Sequence, residues 1–274
     1  MKNLIKNRLP VILIGIPSVL LIVDLGGIIF SILLSIVSLV CLFEFYNLAK
    51  EKDISPDRSI GSLAVIIVCY FYFILPNVSL FWILSFSFSL IILSIFFETF
   101  RNSSNPLINV STTVLGVFYI GILFSSMIAL RQYDSYHGTQ FTLTMLISVW
   151  ICDSFAYTFG KLFGKKKLIE RLSPKKTILG FIAGNVGAFL SIFILNYYNI
   201  IDYNLSFLHI IIMTIIIGVF GQWGDIAESM FKRDAQLKDS GSILLGHGGF
   251  LDRCDSLILT SPLLLLFTLF LHNQ

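Results

Sequence analysis

The chain has 274 residues, of which 56% are hydrophobic, 26 are Phe and only 13% are charged, with a formal net charge of +3. Soluble globular domains carry about 25% charged residues, so this composition excludes a water-soluble fold and calls for an integral membrane protein. Cys41, Cys69, Cys152 and Cys254 stand apart and form no CxxC pair, which argues against a disulfide framework or a zinc site.

A hydrocarbon core about 30 Å thick takes roughly 20 apolar residues per helix. Walking between polar breaks predicts nine spans, near residues 9–23, 28–48, 61–76, 79–97, 107–130, 140–160, 177–197, 206–227 and 256–272. The expected fold is an all-α polytopic membrane protein, its N-terminus cytoplasmic and its C-terminus outside. The first and third spans are short, as in tilted or re-entrant segments. The N-terminal KNLIKNR with the apolar run behind it has the length of a signal peptide but lacks a small-residue cleavage site, and reads as a retained first helix. This threading puts eighteen of the 19 Lys and Arg residues on the side of the N-terminus and leaves Arg131 alone on the other. Cytoplasmic loops carry such an excess, and the cations then face anionic lipids and soluble phosphate compounds. No soluble domain remains to hold a duplex, so no nucleic-acid partner is expected.

Residues 1–130 read as scaffold helices, since Glu44 and Glu98, both near cytoplasmic ends, are almost their only intramembrane acids. Residues 131–274 read as the catalytic region. Here Asp153, Asp225 and Glu228 fall inside or at the ends of apolar helices, where a charge costs several kcal/mol unless paired, solvated or bound to metal. Three polar stretches gather at the predicted cytoplasmic face: CDSFAYTFGKLFG (152–164), SPKKTILG (173–180) and GDIAESMFKRDAQLKDSGSILLGHGGFLDRCDS (224–256). Ser173 and Pro174 precede the seventh helix, with Thr177 near its start.

In the third stretch Asp225, Glu228, Ser229, Lys232 and Arg233 recur at spacings of three and four and share one broad helix face. Glu228 with Lys232 is also an ordinary (i, i+4) pair, worth about 0.2–0.5 kcal/mol when exposed, but that leaves Asp225 unexplained. Gly246, Gly248 and Gly249 let backbone N–H groups approach an anion. The last helix then begins near Leu251, with Asp252 and Asp255 three apart. Asp252 is open to a second reading as a simple helix cap. Carboxylates on two helices joined by a glycine loop suit Mg²⁺, which takes oxygen ligands and is commonly completed by substrate phosphates. The neighbouring Lys and Arg would neutralise those phosphates, so the pattern points to phosphoryl or nucleotidyl transfer. FGKLFGKKK lacks the Walker spacing, and His247 has no recognisable Ser or Cys partner for nucleophilic catalysis.

The stretch SMFKRDAQLKDSGSILLGHGGFLDRCD resembles the C-terminal signature of the CDP-diglyceride synthetase (phosphatidate cytidylyltransferase) family. The matching positions are Ser229, Lys232, Arg233, Lys238, Asp239, Gly241, His247, Gly248, Gly249, Asp252, Arg253 and Asp255. Gly224-Asp225 with Glu228, Asp153-Ser154, Ala156-Tyr157 and Ser173-Pro174-Lys175-Lys176-Thr177 are similar to that family as well. The resemblance is specific over about residues 150–256 and only hydropathic before. Two positions depart from the family pattern: Leu179 stands where a Glu is usual, removing a carboxylate, and Leu245 where a Pro is usual.

The resemblance implies condensation of CTP with phosphatidic acid to CDP-diacylglycerol and pyrophosphate at the cytoplasmic leaflet of the inner (cell) membrane, in phospholipid biosynthesis. It implies Mg²⁺, with K⁺ as a possible second ion, and a homodimer. The expected metal ligands are Asp225 and Asp252, joined by Asp255, Glu228 and Asp153. Lys232, Arg233, Arg253, Lys175 and Lys176 are expected on the phosphates, with Ser173, Thr177, Ser229 and Lys238 around the substrates. His247 is expected as a donor and Gly248 and Gly249 as backbone N–H donors. A cleft open to membrane lipids should admit the acyl chains. The rival readings are a CTP-dependent polyprenol or phytol kinase and an ion-coupled transporter; the transporter predicts midplane acids and internal repeats, and none is visible.

Overall fold

The computed structural model describes residues 15–74, 80–134, 136–201, 205–241 and 248–272. Their regular structure is helical, apart from one isolated bridge between Lys167 and Thr177. In chain order the helices are α1 (Gly15–Leu25), α2 (Gly27–Lys50), α3 (Arg58–Ile74), α4 (Leu80–Arg101), α5 (Pro106–Gln132), α6 (His137–Phe163), α7 (Ile178–Tyr197), α8 (Phe207–Asp234) and α9 (Leu251–His272). Seven of these are long and apolar enough to cross a membrane, and α1 and α3 are shorter apolar helices. The chain is thus a multi-pass all-α membrane protein. The expected first span falls partly outside the described residues, since α1 is seen from Gly15 onward.

Within a bilayer each backbone polar group must find an internal partner, which makes helices the natural solution. Serine and threonine hydroxyls inside the spans follow the same rule and bond back to the preceding turn, as Ser31 does to the Gly27 carbonyl and Thr99 to that of Ile95. Helix starts use ordinary caps. Pro106 opens α5, Thr177 accepts from the Gly180 N–H at 3.1 Å, and Ser206 forms a capping box with His209. Two stretches depart from the α pitch: Val117–Phe124 in α5 and Ile215–Phe220 in α8 are π-helical.

The most deeply buried span is α5, with 72% of its apolar window inside the protein, against 17% for α4, whose Phe88, Ile92 and Phe100 point outward. One apolar cluster runs from Val23 through Leu42, Ile120, Met145, Ile192 and Ile217 to Leu271, so both halves of the chain share a core. Tyr46 belongs to this cluster. Fully buried, it donates to the Thr113 carbonyl at 2.8 Å, and its ring is flanked by Gly61 of α3 and Gly116 of α5, where an added methyl would overlap it.

The two ends of the bundle differ in charge. At one end Lys52 pairs with Asp234 at 2.7 Å and Arg101 donates to the Ser55 carbonyl, tying together the cytoplasmic-end loops predicted from the sequence. At the other, Arg131 is 5% exposed and donates to the Val23 and Asp24 carbonyls at 2.6 and 2.9 Å, closing the last turn of α1. That cation is spent on helix capping, which Lys or Arg near a helix C-terminus favours.

The packing around Tyr46 predicts that Gly116→Val destabilises the protein by about 1–3 kcal/mol through overpacking. It should lower the thermal midpoint in detergent, whereas Gly15→Ala, with no atom within 4 Å of the added carbon, should not. Equal midpoints for the two variants would refute this account.

Candidate functional site

The site is built where α6, α7 and α8 meet at the basic end. Helices α6 and α7 lie almost backbone to backbone, because glycines face each other: a carbon added at Gly160 would stand 3.2 Å from the Gly180 Cα and 3.0 Å from the Thr177 hydroxyl. Gly184 packs against Cys152 and Ala156, and Gly187 against Phe155. Small residues permit this close approach in membrane bundles. The connecting loop doubles back, with Leu168 N–H donating to the Lys176 carbonyl and Ile178 N–H to that of Lys166, both at 3.0 Å. The loop thereby sets Lys167 beside Lys175 and Lys176. Together with Lys161, these lysines line a cavity of about 700 Å³ whose inner wall carries Asp153, Gln222 and Asp225. Gln222 is fixed by bonds to the Phe181 and Gly218 carbonyls at 3.1 and 2.9 Å.

At the inner edge, one carboxylate oxygen each from Asp225, Glu228 and Asp255 lies within 4.8 Å of the others. Asp225 and Glu228 face α9 because they are three apart on α8, and Asp255 meets them from the second turn of α9. Glu228 is fully buried and its Oε1 accepts no hydrogen bond among the described residues. A buried carboxylate oxygen left in that state is costly, and an all-oxygen set of this kind fits a hard divalent cation. These three residues could hold such an ion. Two lysines flank them: Lys176 Nζ pairs with Asp225 at 2.6 Å, and Lys232 pairs with Glu228 from one turn below.

Lys232 also reaches Asp252 at 2.5 Å. The other oxygen of Asp252 accepts from the Ser240 N–H, the Ser240 hydroxyl and the Gly249 N–H at 2.9, 3.0 and 2.8 Å. Asp252 is therefore bound into the α8–α9 connection and lies outside the three-carboxylate group, although it was expected as a principal metal ligand. Gly248 adopts φ +80°, and a side chain there would meet the Asp252 carboxylate. The next two N–H groups, of Phe250 and Leu251, go to Glu44 of α2 at 3.1 and 2.8 Å. Of the N–H groups expected to receive phosphate oxygens, that of Gly249 is thus directed to the Asp252 carboxylate.

The other expected residues divide clearly. Lys175, Lys176, Thr177 and Asp153 line the cavity, Asp153 on the wall and apart from the carboxylate group. Ser229 sits 3.5 Å from Asp225. The Arg233 guanidinium ties two loops by donating to the Leu172 and Leu237 carbonyls at 3.2 and 2.9 Å. Ser173 turns the loop through its backbone, accepting from Lys176 N–H at 3.2 Å, while Lys238 is exposed and does not line the cavity. Leu179, one of the two departures, is 41% exposed. His247 and Leu245 lie outside the described residues.

Sequence reasoning missed Lys161, Lys167, Gln222, Ser240 and Glu44 as parts of this assembly. Glu44 had a signal, a carboxylate inside the apolar run LVCLFEFYN; Lys161 and Lys167 were lost among like charges.

A second cavity, of about 570 Å³, runs along α1, α2 and α9 in the apolar region. It is walled by Val19, Leu33, Val37, Trp150 and Leu257, with Phe250 and Arg253 at its rim. Arg253 therefore stands over an apolar groove on the opposite flank of α9 from Asp255.

The carboxylate group predicts that Mn²⁺, used as a paramagnetic probe, binds the detergent-solubilised protein, and that Glu228→Gln weakens this binding at least tenfold. Equal affinity in the variant would remove Glu228 from the ligand set.

The chain was compared with known proteins. A family model described as the cytidylyltransferase family matches residues 6–271. A phosphatidate cytidylyltransferase of Staphylococcus haemolyticus (strain JCSC1435) is 35% identical over 244 residues, covering 88% of this chain and 90% of the relative. The proteins of the same name from Staphylococcus aureus (strain COL) and Staphylococcus epidermidis (strain ATCC 35984) are 34% and 33% identical, each covering 87% of this chain and 89% of its own length. A match that runs from before α1 to the last turn of α9, through both the lysine-lined cavity and the carboxylate group, establishes that the chain belongs to the cytidylyltransferase family.

Proposed function

We propose that the protein is a phosphatidate cytidylyltransferase, joining CTP to phosphatidic acid with release of pyrophosphate, at the cytoplasmic face of the cell membrane. The observation that carries this reading is the meeting of three carboxylates, one buried and two half-buried, with a lysine-lined cavity at the basic end of the bundle. The relatives' shared name supports the choice of substrates. The one-sided distribution of Lys and Arg supports the sidedness.

The chemistry suits these residues. A phosphate monoester carries about −1.5 to −2 charges near neutral pH, so the lipid nucleophile needs no strong general base. One of its oxygens attacks the α-phosphorus of CTP, a new P–O bond forms, and the bond from that phosphorus to the bridging oxygen breaks, its electron pair leaving with pyrophosphate. The obstacle is repulsion between two polyanions and the charge that gathers on the leaving group. Lys161, Lys167, Lys175 and Lys176 line the cavity where a triphosphate would lie and are placed to offset that charge. Mg²⁺, held by Asp225, Glu228 and Asp255, would draw further charge from the phosphate oxygens and fix their geometry. Lys176 joins the two regions, since it lines the cavity and pairs with Asp225.

The diacyl chains are assigned to the apolar groove along α1, α2 and α9, with Arg253 at its rim toward the lipid phosphate. K⁺ as a second ion, and the homodimer, enter this reading on the family resemblance.

The test is incubation of the purified protein with CTP labelled at the α-phosphate, phosphatidic acid and Mg²⁺, followed by lipid extraction. Label should enter the lipid phase. Label remaining aqueous, with γ-label transferred to lipid, would establish a kinase instead. Asp225→Asn should lower the rate by about 10²-fold or more, in line with loss of one principal electrostatic element, while the folded protein is recovered in normal yield. Near-normal turnover would remove Asp225 from the site.

A further inference from the structure

Glu44 belongs to α2, in the half of the chain that reads as scaffold, yet it is 2% exposed and directed at the start of α9. Its two oxygens accept from Phe250 N–H at 3.1 Å and Leu251 N–H at 2.8 Å, and Oε2 also accepts from the Ser240 hydroxyl at 3.1 Å. Glycines make room for it on both sides: a carbon added at Gly241 would stand 2.9 Å from the Glu44 carboxyl carbon, and one at Gly249 would stand 2.6 Å from it. Ser240 is shared. Its hydroxyl lies 3.1 Å from Glu44 and 3.0 Å from Asp252, and Asp252 holds Lys232, which in turn pairs with Glu228 of the carboxylate group.

A buried carboxylate that accepts three donors from two separate chain segments is in a position to fix both segments. Among the described residues, nothing else in α2 does this.

We propose that Glu44 is a positioning residue for the transfer reaction, which clamps Ser240 and the first residues of α9 so that Asp252 holds Lys232 against the carboxylate group. Glu44 touches neither substrate nor ion; it acts through Ser240, Asp252 and Lys232. The proposal rests on the transferase reading above.

The test compares Glu44→Gln with Glu98→Gln. Glu98 is a matched control, a carboxylate 6% exposed in the same half of the chain, bonded to Asn109 at 2.7 Å and Arg101 at 2.9 Å and, among the described residues, without a link to α9. Glu44→Gln keeps the volume but turns one acceptor into a donor facing the N–H groups. Substitution of groups that orient metal-site residues typically costs about 10–100-fold. The expectation is a kcat about tenfold or more below wild type, with the KM for CTP within twofold and the folded protein recovered, and wild-type kcat for Glu98→Gln. Ser240→Ala, which removes only the shared hydroxyl, should lower kcat at least threefold and add little when combined with Glu44→Gln. It carries the test if Glu44→Gln does not fold. Wild-type kcat in folded Glu44→Gln, or an equal loss in Glu98→Gln, would overturn the proposal. A wild-type protein that puts no α-label into lipid would instead overturn the transferase reading, so the two failures are distinguishable.

Discussion

The Lys232 ammonium stands between Glu228 and Asp252, and on that placement the rest of the basic end depends. A carboxylate buried in a membrane bundle is costly when uncompensated, and Glu228 is fully buried. One cation from the same helix offsets it, while the second acid comes from α9. The interaction therefore does two jobs: it makes the carboxylate group tolerable, and it fastens α8 to α9 across a connection whose ends are Ser240 and Gly249. Asp252 completes it by accepting from both ends.

The division of labour at this end follows from charge. Lysines line the wide, accessible cavity, and acids lie at its inner edge, where α6, α8 and α9 come together. Such a gradient from cation to anion suits the proposed entry of a polyphosphate toward the carboxylate group. The close α6–α7 contact at Gly160 and Gly180 gives the cavity a firm wall, since backbone rather than mobile side chain forms the seam.

Much of this was legible beforehand, and for physical reasons. Membrane character followed from apolar runs that only a bilayer would tolerate, and the shared face of Asp225 and Glu228 followed from helical spacing and from the cost of an acid in an apolar helix, whereas the principal partner expected for Asp225 on α9 was Asp252 and not Asp255. What could not be read was direction. Asp252 and Asp255 are three apart on α9, yet one turns to Lys232 and Ser240 and the other to Asp225 and Glu228, a choice made by the helices packed around them. Glu44 escaped because its partners are about 200 positions away and are backbone N–H groups, which carry no sequence signature. Arg233 seemed a phosphate ligand by residue type alone, and its role as a loop tie became visible only with the Leu172 and Leu237 carbonyls in place.

The π-helical stretch Ile215–Phe220 sits one turn before Gln222 and Asp225 on the same continuous helix. A π turn accommodates an extra residue relative to an α turn, and such bulges are frequent beside functional sites. It absorbs that residue between the half of α8 that meets the apolar core and the half that carries the acids, so that both keep their faces. Deleting one residue there would restore regular winding and leave Asp225 and Glu228 on their present face, whereas the same deletion in an α-helical turn would swing everything beyond it by about 100° and aim them away from Asp255. One widened turn thus keeps two stretches of a single rod in phase, greasy toward its neighbours at one depth and acidic toward them at another.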